Sequence, residues 1–121
     1  MIQNLFADIP TDLREEVFTT LVADAQVKIE RIVSKGHTSP DEGWYDQSRH
    51  EWVLVLRGTA QIAFESKPSV TLGPGDYLLL PAHLKHRVDR TSSDPETVWL
   101  AVHYGMTGGM TEEAAVGAAE A

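Results

Sequence analysis

Glu51-Trp52-Val53-Leu54-Val55-Leu56-Arg57-Gly58 and Gly75-Asp76-Tyr77-Leu78-Leu79-Leu80-Pro81, the latter continuing through Ala82-His83-Leu84-Lys85 to His86, are two blocks of one design. Each is an apolar run of strand length, with a glycine at one end and a residue of metal-ligand type at the other. If the two strands lie close together, Glu51 and His86 meet inside one small cavity.

Working outward from these blocks, short strands follow one another at close intervals. The patterning predicts strands over about 44–47, 51–57, 59–65, 69–72, 76–80, 86–90 and 97–104. Arg57-Gly58, Lys67-Pro68, Gly73-Pro74-Gly75 and Ser92-Ser93-Asp94-Pro95 supply the turns between them. Upstream, Val27, Ile29 and Val33 alternate with Lys28, Glu30 and Ile32, which predicts a further strand with one mostly polar face. Roughly eight such strands point to an all-β sandwich or barrel and away from a parallel α/β sheet.

The ends of the chain read differently. Asp12 followed by Glu15 fits a helix N-cap with its capping-box partner, and Leu13, Val17, Phe18 and Leu21 form one apolar stripe, so a short helix is expected there. The stretch from Gly105 to Ala121 is rich in Gly, Ala and Glu without a sustained apolar face, and a disordered tail is expected. The resulting division is a helical lead-in over 1–26, a barrel over 27–104 and a flexible tail over 105–121.

Composition narrows the function classes. A chain of 121 residues has the size of one domain. Its net charge of −8 argues against nucleic-acid or anionic-membrane partners, which require a basic face. Cysteine is absent, so disulfides, thiolate metal sites and cysteine nucleophiles are excluded. No apolar run approaches the roughly 20 residues of a membrane span. Met1 to Pro10 has no basic segment followed by an apolar one, and a cytoplasmic location is the expectation. No G-x-S-x-G elbow, phosphate-cradling loop, H-E-x-x-H helix or dinucleotide fingerprint occurs.

The two opening blocks resemble the paired motifs of the cupin superfamily, G-x5-H-x-H-x3,4-E-x6-G and G-x5-P-x-G-x2-H-x3-N. Glu51-x6-Gly58 matches the end of the first; Gly75-x5-Pro81 and His86 match the second, with sixteen residues between Gly58 and Gly75. The likeness covers about residues 28–104. Trp44-Tyr45-Asp46-Gln47, the Pro81-Ala82-His83 turn and Trp99-Leu100-Ala101-Val102-His103 resemble a group of small bacterial cupins. The resemblance implies a single cupin jelly-roll barrel and a homodimer formed through sheet edges or an exchanged N-terminal strand. It also implies a divalent metal ion, with Zn, Fe, Mn and Ni not distinguished.

This chain departs from the pattern where the metal would be held. The two histidines of the first motif should fall at positions 45 and 47, which are Tyr45 and Gln47. Period-2 direction places 45, 47 and 51 on one face, so the cavity is expected to contain Tyr45, Gln47, Glu51 and His86. One carboxylate and one imidazole fall short of the three protein ligands usual for catalytic zinc or iron. His50 points to the other face on a regular strand, and a bulge or turn at Ser48-Arg49 would rotate it inward. His83 stands where the family has glycine. The metal set expected is therefore Glu51 and His86 with help from Gln47, His50 or His83, with Tyr45 as proton donor.

Arg87 and His103 are the substrate-contact candidates. Arg87, Arg90 and Lys85 form a local basic cluster suited to one anion, and His103 alternates with Trp99 and Ala101 on a strand whose inward face the pattern leaves open. Two functions follow from these residues. One is a metal-dependent enzyme acting on a small oxygenated or carboxylated molecule. The other is a metal-free cupin that binds or senses a small molecule through hydrogen bonds.

Overall fold

The computed structural model describes residues 1–40 and 42–105. The expected tail therefore lies, apart from Gly105, outside the described residues. Among those described there are eight strands: β1 (Val17–Ala23), β2 (Val27–Ser34), β3 (His50–Arg57), β4 (Ala60–Phe64), β5 (Val70–Leu72), β6 (Tyr77–Leu80), β7 (His86–Thr91) and β8 (Thr97–Tyr104). They form a five-stranded sheet, in the order β1-β2-β8-β3-β6, facing a three-stranded sheet, β5-β4-β7. Every paired neighbour is antiparallel.

No helix precedes the sandwich. The stripe of Leu13, Val17, Phe18 and Leu21 belongs instead to an irregular lead and to β1, which pairs with β2 from Val17↔Val33 to Ala23↔Lys28. The reason lies in Val17-Phe18-Thr19-Thr20-Leu21-Val22, where β-branched and aromatic side chains lose rotamer freedom in a helix and fit a pleated surface. Asp12 caps nothing; its carboxylate pairs with the exposed Arg14 guanidinium at 3.3 Å. The strand expected over 44–47 shrinks to a bridge at Tyr45, whose N–H donates to the His86 carbonyl at 2.8 Å and whose carbonyl accepts from the His86 N–H at 3.2 Å.

Cross-strand register decides which side chains face inward. Glu51, Val53 and Val55 lie opposite His103, Ala101 and Trp99. Ala101 and Trp99 in turn oppose Glu30 and Ile32, so the supposedly polar face of β2 is the one turned toward the opposite sheet. The core between the sheets is Ile32, Val53, Val55, Ala60, Ile62, Phe64, Leu72, Leu80, Trp99 and Ala101. Burying these side chains is the main favourable term, at roughly 25 cal/mol per Å² removed from water.

The two motif glycines serve the turns beside β3. Gly58 has φ +81°, and a Cβ there would stand 2.8 Å from the Thr97 Cα and 2.9 Å from the Glu96 carbonyl oxygen. Only glycine lets the β3–β4 turn close against the start of β8. Gly75, at φ +88°, turns the chain into β6 and donates its N–H to the Val55 carbonyl at 2.7 Å.

Candidate functional site

Along β3 the inward residues change from the fully buried Val55, through Val53, to Glu51, and the space between the sheets changes from packed core to cavity. The cavity has a volume of about 210 Å³. Its apolar wall includes Ile32, Val53, Ile62, Leu80, Val88 and Trp99. Its polar residues come from four strands and two connecting segments: Glu30 on β2, Glu51 on β3, His86 on β7 and His103 on β8, with Glu16 and the Tyr45–Gln47 bridge segment at the edge.

Glu51 and His86 face the same space. They are 8% and 4% exposed, and Glu51 Oε1 stands 3.9 Å from His86 Nε2. His86 Nδ1 lies 2.9 Å from the Leu84 carbonyl. A carbonyl can only accept, so Nδ1 carries a proton and Nε2 is the ring nitrogen turned toward Glu51 and the cavity. On the other side of Glu51, its Oε2 is 3.8 Å from His103 Nε2, which is hydrogen-bonded to Glu30 Oε1 at 2.9 Å. Lys28 reaches the second Glu30 oxygen at 3.3 Å.

Burial among apolar groups holds the Glu51 carboxyl above the usual carboxylate range, and the nearby Glu30 charge acts in the same direction. His103, His86 and a hydrogen bond from the Gln47 side chain oppose that rise without cancelling it. The floor of the cavity therefore holds a carboxyl whose proton burial favours, facing the Nε2 edge of the His86 imidazole.

The remaining candidate residues separate by position. Tyr45 lines the cavity at its mouth, 47% exposed, with its ring centroid 5.8 Å from that of His86. Gln47 lines the cavity as the spacing predicts. His50 does not turn inward. Ser48-Arg49 form a bend before β3, and His50 alternates with the inward Glu51, so its ring sits on the outer face of the sheet, where Nδ1 accepts from the Ala82 N–H at 2.9 Å and the ring packs 5.3 Å from Tyr104. His83 stays on the rim at φ +66°; Nδ1 bonds the Asp46 carboxylate at 2.7 Å and its N–H donates to the Gln47 carbonyl. Arg87 does not line the cavity; its guanidinium lies over the Trp44 ring at 4.6 Å and pairs with Asp89.

Among the described residues, no three His, Asp or Glu side chains are grouped so as to hold one metal ion. Glu30, His103, Glu51 and His86 follow one another as a chain across the cavity instead of converging on a common point. With Glu51 facing one imidazole and His103 tied to Glu30, the donor set falls short of the three converging protein ligands usual for catalytic zinc or iron.

Glu30, Glu16 and Ser39 are polar lining residues that sequence reasoning missed. The Glu30 signal was present in the alternation, since an inward Ile32 obliges Glu30, two residues away, to face inward too. Glu16 was hidden by the expected helix.

Comparison with known proteins agrees with this architecture. The family model described as "Cupin domain" matches residues 31–103. The chain belongs to the cupin family. Among solved structures, this cupin is similar to a protein of Ralstonia eutropha JMP134 described provisionally as a mannose-6-phosphate isomerase. The two share 44% identity over 88% of this chain and 99% of the other, with a TM-score of 0.83. A cupin superfamily protein of Desulfitobacterium hafniense DCB-2 shares 22% identity over 79% of this cupin and 83% of the other, with a TM-score of 0.63. An RmlC-like cupin of Desulfovibrio desulfuricans shares 18% over 85% and 95%, with a TM-score of 0.66. The latter two likenesses concern the fold alone. No match is found among curated proteins.

Proposed function

We propose that this cupin binds a small organic molecule in its barrel and moves a proton on it by general acid–base chemistry, without a resident metal. The reading rests on one observation: Glu51 Oε1 and His86 Nε2 are buried 3.9 Å apart and open onto the same cavity. That separation is too long for a mutual hydrogen bond, which leaves both groups available to a ligand atom between them. The chemistry requires the protonated Glu51 carboxyl, the form that burial favours, as donor and the neutral His86 ring, with its Nε2 lone pair, as acceptor.

A hydroxy-carbonyl compound suits the pair. His86 Nε2 takes the proton from the carbon beside the carbonyl while Glu51 gives its proton to the carbonyl oxygen, and an enediol forms. Return of the imidazolium proton to the neighbouring carbon, with the adjacent hydroxyl proton passing to the Glu51 carboxylate, completes an isomerisation with atoms and charge balanced. The description of the Ralstonia eutropha protein names a reaction of that kind. Here Tyr45 covers the mouth and Gln47 steadies the Glu51 carboxyl.

The test is solvent-proton exchange. In D2O, small hydroxy aldehydes and ketones incubated with the protein should gain deuterium at the carbon next to the carbonyl, and Glu51→Gln and His86→Ala should each slow this by roughly 100-fold or more. Binding without exchange would leave a ligand-binding cupin and remove the enzyme. Elemental analysis of untagged protein checks the remaining premise. A near-stoichiometric divalent metal, lost in both Glu51→Ala and His86→Ala, would overturn the metal-free reading.

A further inference from the structure

The charge of the cavity lining has a direct bearing on the ligand. Its ionisable residues are Glu16, Glu30, Glu51, Tyr45, His86 and His103, and among the described residues no lysine or arginine lines it. A shallower depression adjoins it, sharing Phe18, Glu30, Gln47 and His103, and there Lys28 and Arg49 appear. Lys28 pairs with Glu30 at 3.3 Å and Arg49 Nε donates to the Gly105 carbonyl at 3.3 Å, and both lie outside the barrel lining. Asp46, on the same depression, adds another carboxylate.

We infer that the cavity selects by charge, taking small uncharged hydroxy-carbonyl compounds and excluding their phosphate esters. This rests on the proposed function, and it separates the ligand class of this protein from the phosphorylated sugar in the description of its Ralstonia eutropha relative. A phosphate monoester carries a charge of about −1.5 to −2 at neutral pH and is normally met by arginine, lysine or converging backbone N–H groups. Here it would meet the Glu16 and Glu30 carboxylates in a space where water screens poorly, with no lysine or arginine of the lining to compensate its desolvation. An uncharged carbonyl meets no such obstacle.

Paired probes differing only in the phosphate provide the test: dihydroxyacetone with dihydroxyacetone phosphate, and mannose with mannose 6-phosphate, titrated while the ring resonances of His86 and His103 are followed by NMR. The unphosphorylated member of at least one pair should shift these resonances saturably, and its phosphate ester should bind at least 10-fold more weakly. A Glu16→Gln, Glu30→Gln double variant should narrow that gap. An ester that binds as tightly as its parent, or more tightly, overturns the charge selection while leaving the small-molecule reading in place. If that ester binding is lost in Lys28→Gln, the phosphate sits at the mouth. Failure of every probe to move either histidine overturns both this inference and the proposed function.

Discussion

Glu51 shows how much one buried group depends on its surroundings. Its charge is disfavoured first by desolvation and then by Glu30, with His103 and His86 working the other way. Because its pKa is raised in the folded state, the native protein binds more protons than the unfolded chain at intermediate pH. The associated stability is complete below the ordinary glutamate value of about 4.3 and is lost as pH rises through the raised value. Glu51→Gln should therefore raise the unfolding temperature at pH 8 by more than at pH 4. An equal shift at both pH values would mean that the carboxyl is not strained by burial. Gly58 makes the opposite point, since its role is to present no side chain. Gly58→Ala adds a left-handed φ penalty to backbone contacts under 3 Å and should cost about 3 kcal/mol in urea unfolding.

At the scale of elements, β2 and the segment before β1 are joined by one buried side chain. Arg31 faces outward from the five-stranded sheet yet is 7% exposed, because its Nη1 donates to the carbonyls of Leu5 and Ala7 at 3.0 and 2.8 Å. Phe6 in the same segment lies over the Arg57 guanidinium. Arg31→Met should release residues 1–10 to proteolysis and lower stability by about 1–3 kcal/mol, measured by limited digestion alongside urea unfolding. Legibility of the elements followed the same local physics. β3, β4, β6, β7 and β8 could be read from alternation and turn residues. β1 was misread because a four-residue apolar spacing over Leu13, Val17 and Leu21 also occurs in strands, and the β-branched run within it weighed more.

For the whole molecule, the formal charge of −8 means that the folded chain repels itself. Raising sodium chloride from about 20 to 300 mM shortens the Debye length severalfold and should raise the unfolding temperature by a few degrees. A flat or falling response would show that favourable ion pairs such as Lys28–Glu30 outweigh the net repulsion. The same acidic balance reaches into the barrel, where it becomes selectivity against anionic ligands.

The sequence by itself determined the strands and both motif glycines, because strand period and turn chemistry are local properties, and the resemblance of its two motifs to the cupin pattern put Glu51 and His86 together. It also placed Tyr45 and Gln47 beside them. Tertiary structure alone decided what completes the site. Whether His50 turns inward depends on the register of β3 with β8, which turns Glu51 in and His50 out. Whether His83 reaches the cavity depends on a turn that ties it to Asp46. Glu30 and His103 become neighbours only because β2 pairs with β8 in one particular register. Those are long-range relations between strands far apart in the chain, and no local pattern encodes them.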